Sequence, residues 1–385
     1  MIGRVQSPRI IRIGGGVASE TALVLEQLGL SNPLIVTDTN LVKLGHVDTV
    51  TSILQKAGMS FGIFDGVVED PTDICVDAGL AALKAGDYDC IIGFGGGSPM
   101  DSAKAISFMA VNGGHVRDYK APYQIDKCGL PTILIPTTGG TGSELTRWCV
   151  ITDTQLVEKY NLSGLACVAT AAIIDWQFTV TKPWRITADT AVDSLTHAME
   201  AYVSRKSFAY TDAFALSAMP LIAKHVRAAC ADPQNGEARE ALMLAASQAG
   251  MAFSNASVAL VHGMSRPIGA HFHVAHGLSN AMLLPEITAF SVSASTERYG
   301  HCARVMGWSN STDSDETACE KLVAGLRQLN ADLKVPKPSE VGHNRDEAAK
   351  LWPLMADQAL SSGSPQNNPI VPTKDEIIEL YGKVW

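Results

Sequence analysis

An α/β half followed by an all-α half is the fold the sequence predicts, and three observations predict it. Up to Thr181-Lys182-Pro183-Trp184, short apolar runs alternate with helical stretches, and Gly or Pro marks the junctions. From Thr187 onward Ala, Leu and Met recur with a period near 3.6, and strand signals nearly vanish. At 385 residues the chain is also too long for one ordinary core. We therefore expect two domains, residues 1–182 and 183–385.

In chain order, Ile10–Ile13 is the first strand, and Gly14-Gly15-Gly16 turns it into an amphipathic helix over Ala18 to Leu28. Leu34-Ile35-Val36-Thr37 is a second strand that ends at Asp38, and Cys90 to Phe94 and Thr132 to Ile135 are further strands. That rhythm implies a mostly parallel sheet covered on both faces. The chain closes with Thr373 and Glu376 in a capping-box pattern that starts a last helix.

Composition excludes several classes. An apolar fraction of 46% with 18% charged residues describes a well-buried globular protein. A net charge of −9 without a long basic run argues against nucleic acid and anionic membranes as partners. The eight cysteines are scattered without C-x-x-C spacing, as in a reducing compartment. No apolar run approaches the ~20 residues of a membrane span, and the N-terminus does not read as a signal peptide. A cytoplasmic protein is expected.

Two glycine loops carry the first chemistry. In CIIGFGGGSPMDSAKAI, Gly95, Gly96 and Gly97 let the backbone approach a ligand, and the helix that follows offers its N-terminal N–H groups to a pyrophosphate. Ser98 reads as the N-cap, Pro99 as the first helical residue and Asp101 as the far half of a capping box. The second loop, Pro136-Thr137-Thr138-Gly139-Gly140-Thr141-Gly142-Ser143-Glu144, adds hydroxyls for phosphate and ribose oxygens. Both loops follow strands, so both lie at the carboxyl edge where open α/β sheets bind nucleotides. Asp38 closes its strand where an acid can hold an adenosine ribose, although TDTN is equally an ordinary turn sequence.

The helical half carries the second. Asp193 and His197 stand four apart on one helix face, and thirteen residues that include Pro267 and Gly269 separate His262 from His276. One carboxylate and three imidazoles suit Fe²⁺ or Zn²⁺ and leave room for a substrate oxygen.

GGGSPMDSAK, PTTGGTGSE, VDSLTHAMEAY and GMAFSNASVALVHGMSRPIGAHFHVAHGLSNAMLLP, in this order, resemble the iron-containing (group III) alcohol dehydrogenases from about Gly14 to the C-terminal helix. The resemblance implies a dehydroquinate synthase-like architecture, a nicotinamide dinucleotide-binding α/β domain joined to a helical metal- and substrate-binding domain. It implies NAD as cofactor, Fe²⁺ (or Zn²⁺) held by Asp193, His197, His262 and His276, and a homodimer or higher homo-oligomer. By the same resemblance Asp38 holds the adenosine ribose, and Gly96, Gly97, Ser98, Asp101, Thr137, Thr138, Thr141 and Ser143 surround the cofactor. Lys159 would reach the nicotinamide ribose, and Phe253 would form an aromatic wall of the substrate pocket.

Three positions depart from the family pattern: Arg266 stands where many members carry a second histidine, Trp148 where a smaller polar residue is common, and Ala275 where proline is usual. The expected reaction passes a hydride between nicotinamide and the carbon of a primary alcohol or aldehyde. Arg266, one turn after His262, suggests an ω-hydroxy acid or semialdehyde of the 4-hydroxybutyrate type, its carboxylate clamped by the guanidinium. Neutral alcohols or diols of the lactaldehyde and propanediol type are the alternative. A dehydroquinate-synthase-like lyase would need several Lys and Arg residues, whereas the ligand-bearing segments hold only Arg266. A metal-free maleylacetate-reductase-like enzyme is disfavoured by the retained Asp193, and a silent nucleotide sensor by the intact loops and ligands.

Overall fold

A computed structural model describes residues 3–156 and 158–385. They form two compact units, Arg4–Lys182 and Pro183–Trp385, with Gly3 belonging to the second.

The first unit is built on strands β1 (Ile10–Ile13), β2 (Pro33–Asp38), β3 (Gly62–Val67), β4 (Cys90–Gly95) and β5 (Thr132–Pro136). A hairpin, β6 (Trp148–Asp153) with β7 (Glu158–Ser163), and β8 (Ala171–Ile174) complete it. Six strands pair in parallel in the order β1-β8-β5-β4-β2-β3, while β6 and β7 pair antiparallel. Side chains alternate between the faces of this sheet. Leu34, Val36, Ile91 and Leu134 enter one core, and Ile35, Ile92, Ile133 and Phe94 enter the other. Burial on both faces is why these strands read as continuous apolar runs. The sequence did not single out β3, β6, β7 or β8. The Ala-Ala of β8 and the Gly and Asp of β3 are poor strand formers, held in place by parallel neighbours.

Helices α1 (Thr21–Leu28), α2 (Thr39–Lys43), α3 (His46–Lys56), α4 (Asp73–Lys84) and α5 (Gly97–Asn112) connect the strands. The first turn of the predicted 18–28 helix is instead a 3-10 turn, Val17–Glu20, and α1 stops at Gly29 with φ 72°. A second expectation is corrected at α5. Its N-cap is Gly96, with no side-chain cap, so Ser98 and Pro99 are the second and third helical residues and Asp101 closes no capping box. The glycine turn winds directly into the helix, and the Asp101 carboxylate is turned to other partners, described below.

Among its described residues the second unit holds helices and connecting turns and no strand. Central helix α6 (Trp184–Val203) packs on α7 (Ala209–Ala231), α8 (Gly236–Ala256) and α10 (His276–Ser291), and α9 (Leu260–Phe272) packs on α10. Every α6 side chain from Ala191 to Val203 is buried, so polar members such as Asp193, Ser194, Thr196, His197 and Glu200 must find partners inside the protein. The capping box at Thr373 and Glu376 forms as the sequence predicts, with Thr373 N donating to Glu376 at 2.7 Å. No single helix among the described residues is long and apolar enough to cross a membrane.

Candidate metal centre and nucleotide loops

In the helical unit, Asp193 and His197 project from α6 one turn apart, His262 lies in the first turn of α9, and His276 is the first residue of α10. The chain between α9 and α10 turns through His273 at φ 54°, which places the start of α10 against α6. One ligand atom from each of the four residues lies within 4.8 Å of the others. Asp193 Oδ1 is 3.8 Å from His197 Nε2, 3.6 Å from His262 Nε2 and 3.8 Å from His276 Nε2. Three of the four residues are buried, while the His276 side chain is 40% exposed and marks the accessible side.

Burial would raise the Asp193 carboxyl, but the imidazoles of His197, His276 and His262 outweigh it and hold the group well below the usual carboxylate range. Burial also lowers His262, and Glu200 with Asp193 reverses that and raises it. Four lone-pair donors of mixed hardness turned toward one point fit a divalent transition metal such as Fe²⁺ or Zn²⁺.

Two residues that the sequence reading did not name complete this centre. Glu200, 4% exposed, accepts from His262 Nδ1 at 2.6 Å and from Val261 N at 2.6 Å. Asn280, fully buried, donates from Nδ2 to Asp193 Oδ1 at 2.6 Å and lies 3.1 Å from His262 Nε2 and 3.3 Å from His276 Nε2. A signal existed for both. Glu200 follows Asp193 by seven residues and Asn280 follows His276 by four, so each shares a helix face with a ligand.

Phe253 stacks on His197 with ring centroids 4.2 Å apart and an interplanar angle of 17°. Arg266 donates to Ser364 Oγ at 2.8 Å, and no carboxylate among the described residues forms an ion pair with it. Burial lowers its pKa to about 10, against the opposing charge of Glu200.

In the α/β unit, Asp38, Gly95 and Pro136 end three neighbouring strands, so Asp38 and the two glycine loops share the carboxyl edge of the sheet. Gly95 has φ 152°, and a Cβ there would meet Pro99 Cγ at 2.5 Å. A Cβ on Gly97 would meet Thr141 Cγ2 at 3.1 Å, so the loops approach each other closely at this point. The hydroxyls of Thr137 and Thr138 are buried without a hydrogen-bond partner, and the first N–H groups of α5 have no side-chain cap. Orphaned donors at a glycine-rich helix start fit a phosphate-bearing ligand. Ser98 lies half-buried in that first turn, and Thr141 Oγ1 accepts from Ser143 N at 3.3 Å.

Other expected cofactor residues are engaged within the protein. Asp101 accepts from Ser143 Oγ at 2.6 Å and from Val150 N at 2.9 Å. Lys104, fully buried, donates to Ser143 O of the same loop and to Trp148 O at the start of β6, both 2.7 Å away. Lys159 on β7 pairs with Asp70 at 2.8 Å. Asp38 caps α2, its Oδ1 accepting from Asn40 N at 2.9 Å and Leu41 N at 3.0 Å.

The family model of the iron-containing alcohol dehydrogenases matches residues 8–176, and that of the C-terminal region of the Fe-containing alcohol dehydrogenase family matches residues 187–385. An NAD-dependent methanol dehydrogenase of Bacillus methanolicus is 36% identical over 96% of this chain and 96% of its own. The crystal structure of a 1,3-propanediol oxidoreductase superposes with a TM-score of 0.96 at 33% identity, covering 100% of both chains. That of a sulfoacetaldehyde reductase from Bifidobacterium kashiwanohense, in complex with NAD⁺, gives a TM-score of 0.89 at 25% identity, covering 100% of this chain and 99% of the other.

Proposed function

The chain belongs to the iron-containing alcohol dehydrogenase family, and from that premise we propose that it passes a hydride between NAD and a small primary alcohol or aldehyde. The observation that carries the reading is the convergence of Asp193, His197, His262 and His276 to within 4.8 Å. These four would hold Fe²⁺, or Zn²⁺ where that ion is more available, since their mixed hardness selects weakly between the two. When bound, the ion supplies a Lewis acid that stabilises negative charge on the substrate oxygen, and the nicotinamide carries the hydride.

The protein's own groups bind and orient. In this reading Arg4–Lys182 is the dinucleotide-binding domain and Pro183–Trp385 the metal- and substrate-binding domain. Gly96, Gly97 and Ser98 at the start of α5, with the hydroxyls of Thr137, Thr138 and Thr141, take the pyrophosphate and its ribose. The free lone pairs of Asp38 accept from the adenosine ribose, and Lys159, already beside Asp70, reaches the nicotinamide ribose. Asp101 and Ser143 serve the cofactor indirectly, by bracing the second loop against α5. Phe253 walls the pocket beside His197. A homo-oligomer belongs to the same proposal and is checked by light scattering.

For the substrate, Arg266 supports an ω-hydroxy acid or semialdehyde. A largely buried guanidinium with no carboxylate in ion-pair contact is costly unless an anion completes it, and a substrate carboxylate would. Neutral alcohols and diols are the second reading, favoured by the names of the methanol and propanediol relatives.

One panel tests both levels. Metal-analysed protein is incubated with NAD⁺ and 4-hydroxybutyrate or 1,4-butanediol, and nicotinamide absorbance is followed. His262→Ala and His276→Ala should keep the fold and lose turnover, and full turnover by verified metal-free protein sinks the metal assignment. Wild type should prefer the hydroxy acid in kcat/KM, and Arg266→His should erase a preference of roughly ten- to hundredfold, the worth of a charged hydrogen bond at about 1.5–3 kcal/mol. A wild-type preference for the diol assigns Arg266 to the scaffold and selects the neutral reading.

A further inference from the structure

Glu200 is a buried carboxylate that no step of the reaction uses. It lies on α6 at the i+7 position from Asp193 and the i+3 position from His197, so it shares their face. Its Oε1 accepts from Val261 N at 2.6 Å, and its Oε2 faces His262 Nδ1 at 2.6 Å. Val261 N is one of the first-turn donors that α9 leaves without an intrahelical partner, and the N-cap, Ala259, has no side chain able to satisfy it. Glu200 therefore caps α9 from a different helix, with its negative charge at the end of the helix dipole that favours it.

The same carboxylate fixes His262. An ionised carboxylate accepts only, so a 2.6 Å contact requires the proton on Nδ1. In the neutral ring, the form that binds a cation, Nε2 is then left with its lone pair, and it is Nε2 that faces Asp193 Oδ1 at 3.6 Å. Ring orientation and tautomer are set together, because the backbone bond to Val261 and the side-chain bond to His262 are one residue apart on the same helix turn.

We infer that Glu200 is a positioning residue for the metal: by capping α9 and holding the Nδ1–H tautomer of His262, it sets the affinity of the site for a divalent cation. The inference rests on the metal assignment above. Carboxylates that accept from the far nitrogen of a metal-bound histidine raise its basicity as well as orienting it, and their loss weakens metal binding by about 10–100-fold. Asn280 braces the opposite side, through Asp193.

Glu200→Gln discriminates well. The two N–H groups here need two acceptors, and a glutamine offers one oxygen while turning an NH₂ against the other donor. The affinity of purified, metal-stripped protein for Co²⁺ is measured by chelator competition, together with its visible ligand-field bands and the melting temperature before and after loading. Wild type should take up one ion per chain. Glu200→Gln should bind it about 10–100-fold more weakly, with altered Co²⁺ bands. Glu200→Asp keeps the charge but is one methylene too short to reach both donors, so it should fall between, and it decides the matter if the glutamine variant does not fold. Wild type that binds no ion overturns the metal assignment itself. Wild type that binds one ion, beside a folded variant that melts earlier yet binds with unchanged affinity and unchanged bands, overturns this inference and leaves Glu200 as a helix cap alone.

Discussion

Asp38 performs one task that is visible and one that is proposed, and a single substitution separates them. Its Oδ1 accepts from Asn40 N and Leu41 N and caps α2, while Oδ2 makes no hydrogen bond among the described residues. Asp38 also opposes the burial of Lys182, which by itself lowers that amine. If Oδ2 receives the adenosine ribose hydroxyls of NAD, the same charge repels the 2′-phosphate of NADP. Two unit charges ~4 Å apart interact by about 1 kcal/mol in water and about 4 kcal/mol at the effective dielectric of a protein surface. At about 1.4 kcal/mol per factor of ten, an NAD preference of about fivefold to several hundredfold is expected. Asp38→Asn removes the charge and keeps the cap, because Asn and Asp cap helices about equally, so stability should change by only a few tenths of a kcal/mol. The neutral variant also leaves the Lys182 cation unopposed, free to attract a phosphate. The assay is kcat/KM with NAD⁺ and with NADP⁺ at low salt, beside a thermal melt. The preference should collapse to within a few fold while the melting temperature holds. Wild type that prefers NADP, or an Asn variant with the original preference, refutes the assignment.

Two further outcomes follow from buried groups. Lys104 faces Ser143 O and Oγ, Thr146 O and Oγ1, and Trp148 O at 2.7–3.2 Å, five acceptors for three N–H bonds. Lys104→Met should cost about 3–5 kcal/mol in a denaturant titration, and a loss below about 1 kcal/mol, the range of exposed pairs, would mean the loop holds without it. The pH dependence of metal-free protein has a definite sign. Asp193 is depressed, so its contribution is present above about pH 4 and lost as pH falls through its lower folded value. His262 is raised, so its contribution is complete below about pH 6.5 and lost as pH rises through its higher folded value. Melting temperature should therefore fall from pH 6 to pH 8 while affinity for Co²⁺ rises, since the cation competes with the His262 proton; a flat melting profile with flat affinity contradicts the site geometry.

Much of this was legible because the signals are local. Asp193 with His197 is a helix-face pair readable from spacing, and the apolar runs of β2, β4 and β5 are readable from burial on both sheet faces. Some local expectations failed for an equally physical reason. Asp101 sits three residues after Ser98 as a capping box requires, but Ser143 of the second loop and Val150 of β6 offer its carboxylate stronger partners. Strand β8 is only four residues long and opens with Ala-Ala, a poor strand former, so its pairing with β1 and β5 on either side holds it in the sheet.

The sequence by itself determined strands β1, β2, β4 and β5, the change to a helical half, the glycine turns and the residue types able to bind a cation, since each depends on neighbours within a few positions. Only the tertiary structure decided which side chain faces each nitrogen of His262, and that no carboxylate among the described residues pairs with Arg266. It alone brought Glu200, Asn280 and Lys104 to their positions. These are contacts between residues as far as 62 and 87 positions apart, and a buried polar group takes whatever partner the packed helices and loops bring within reach.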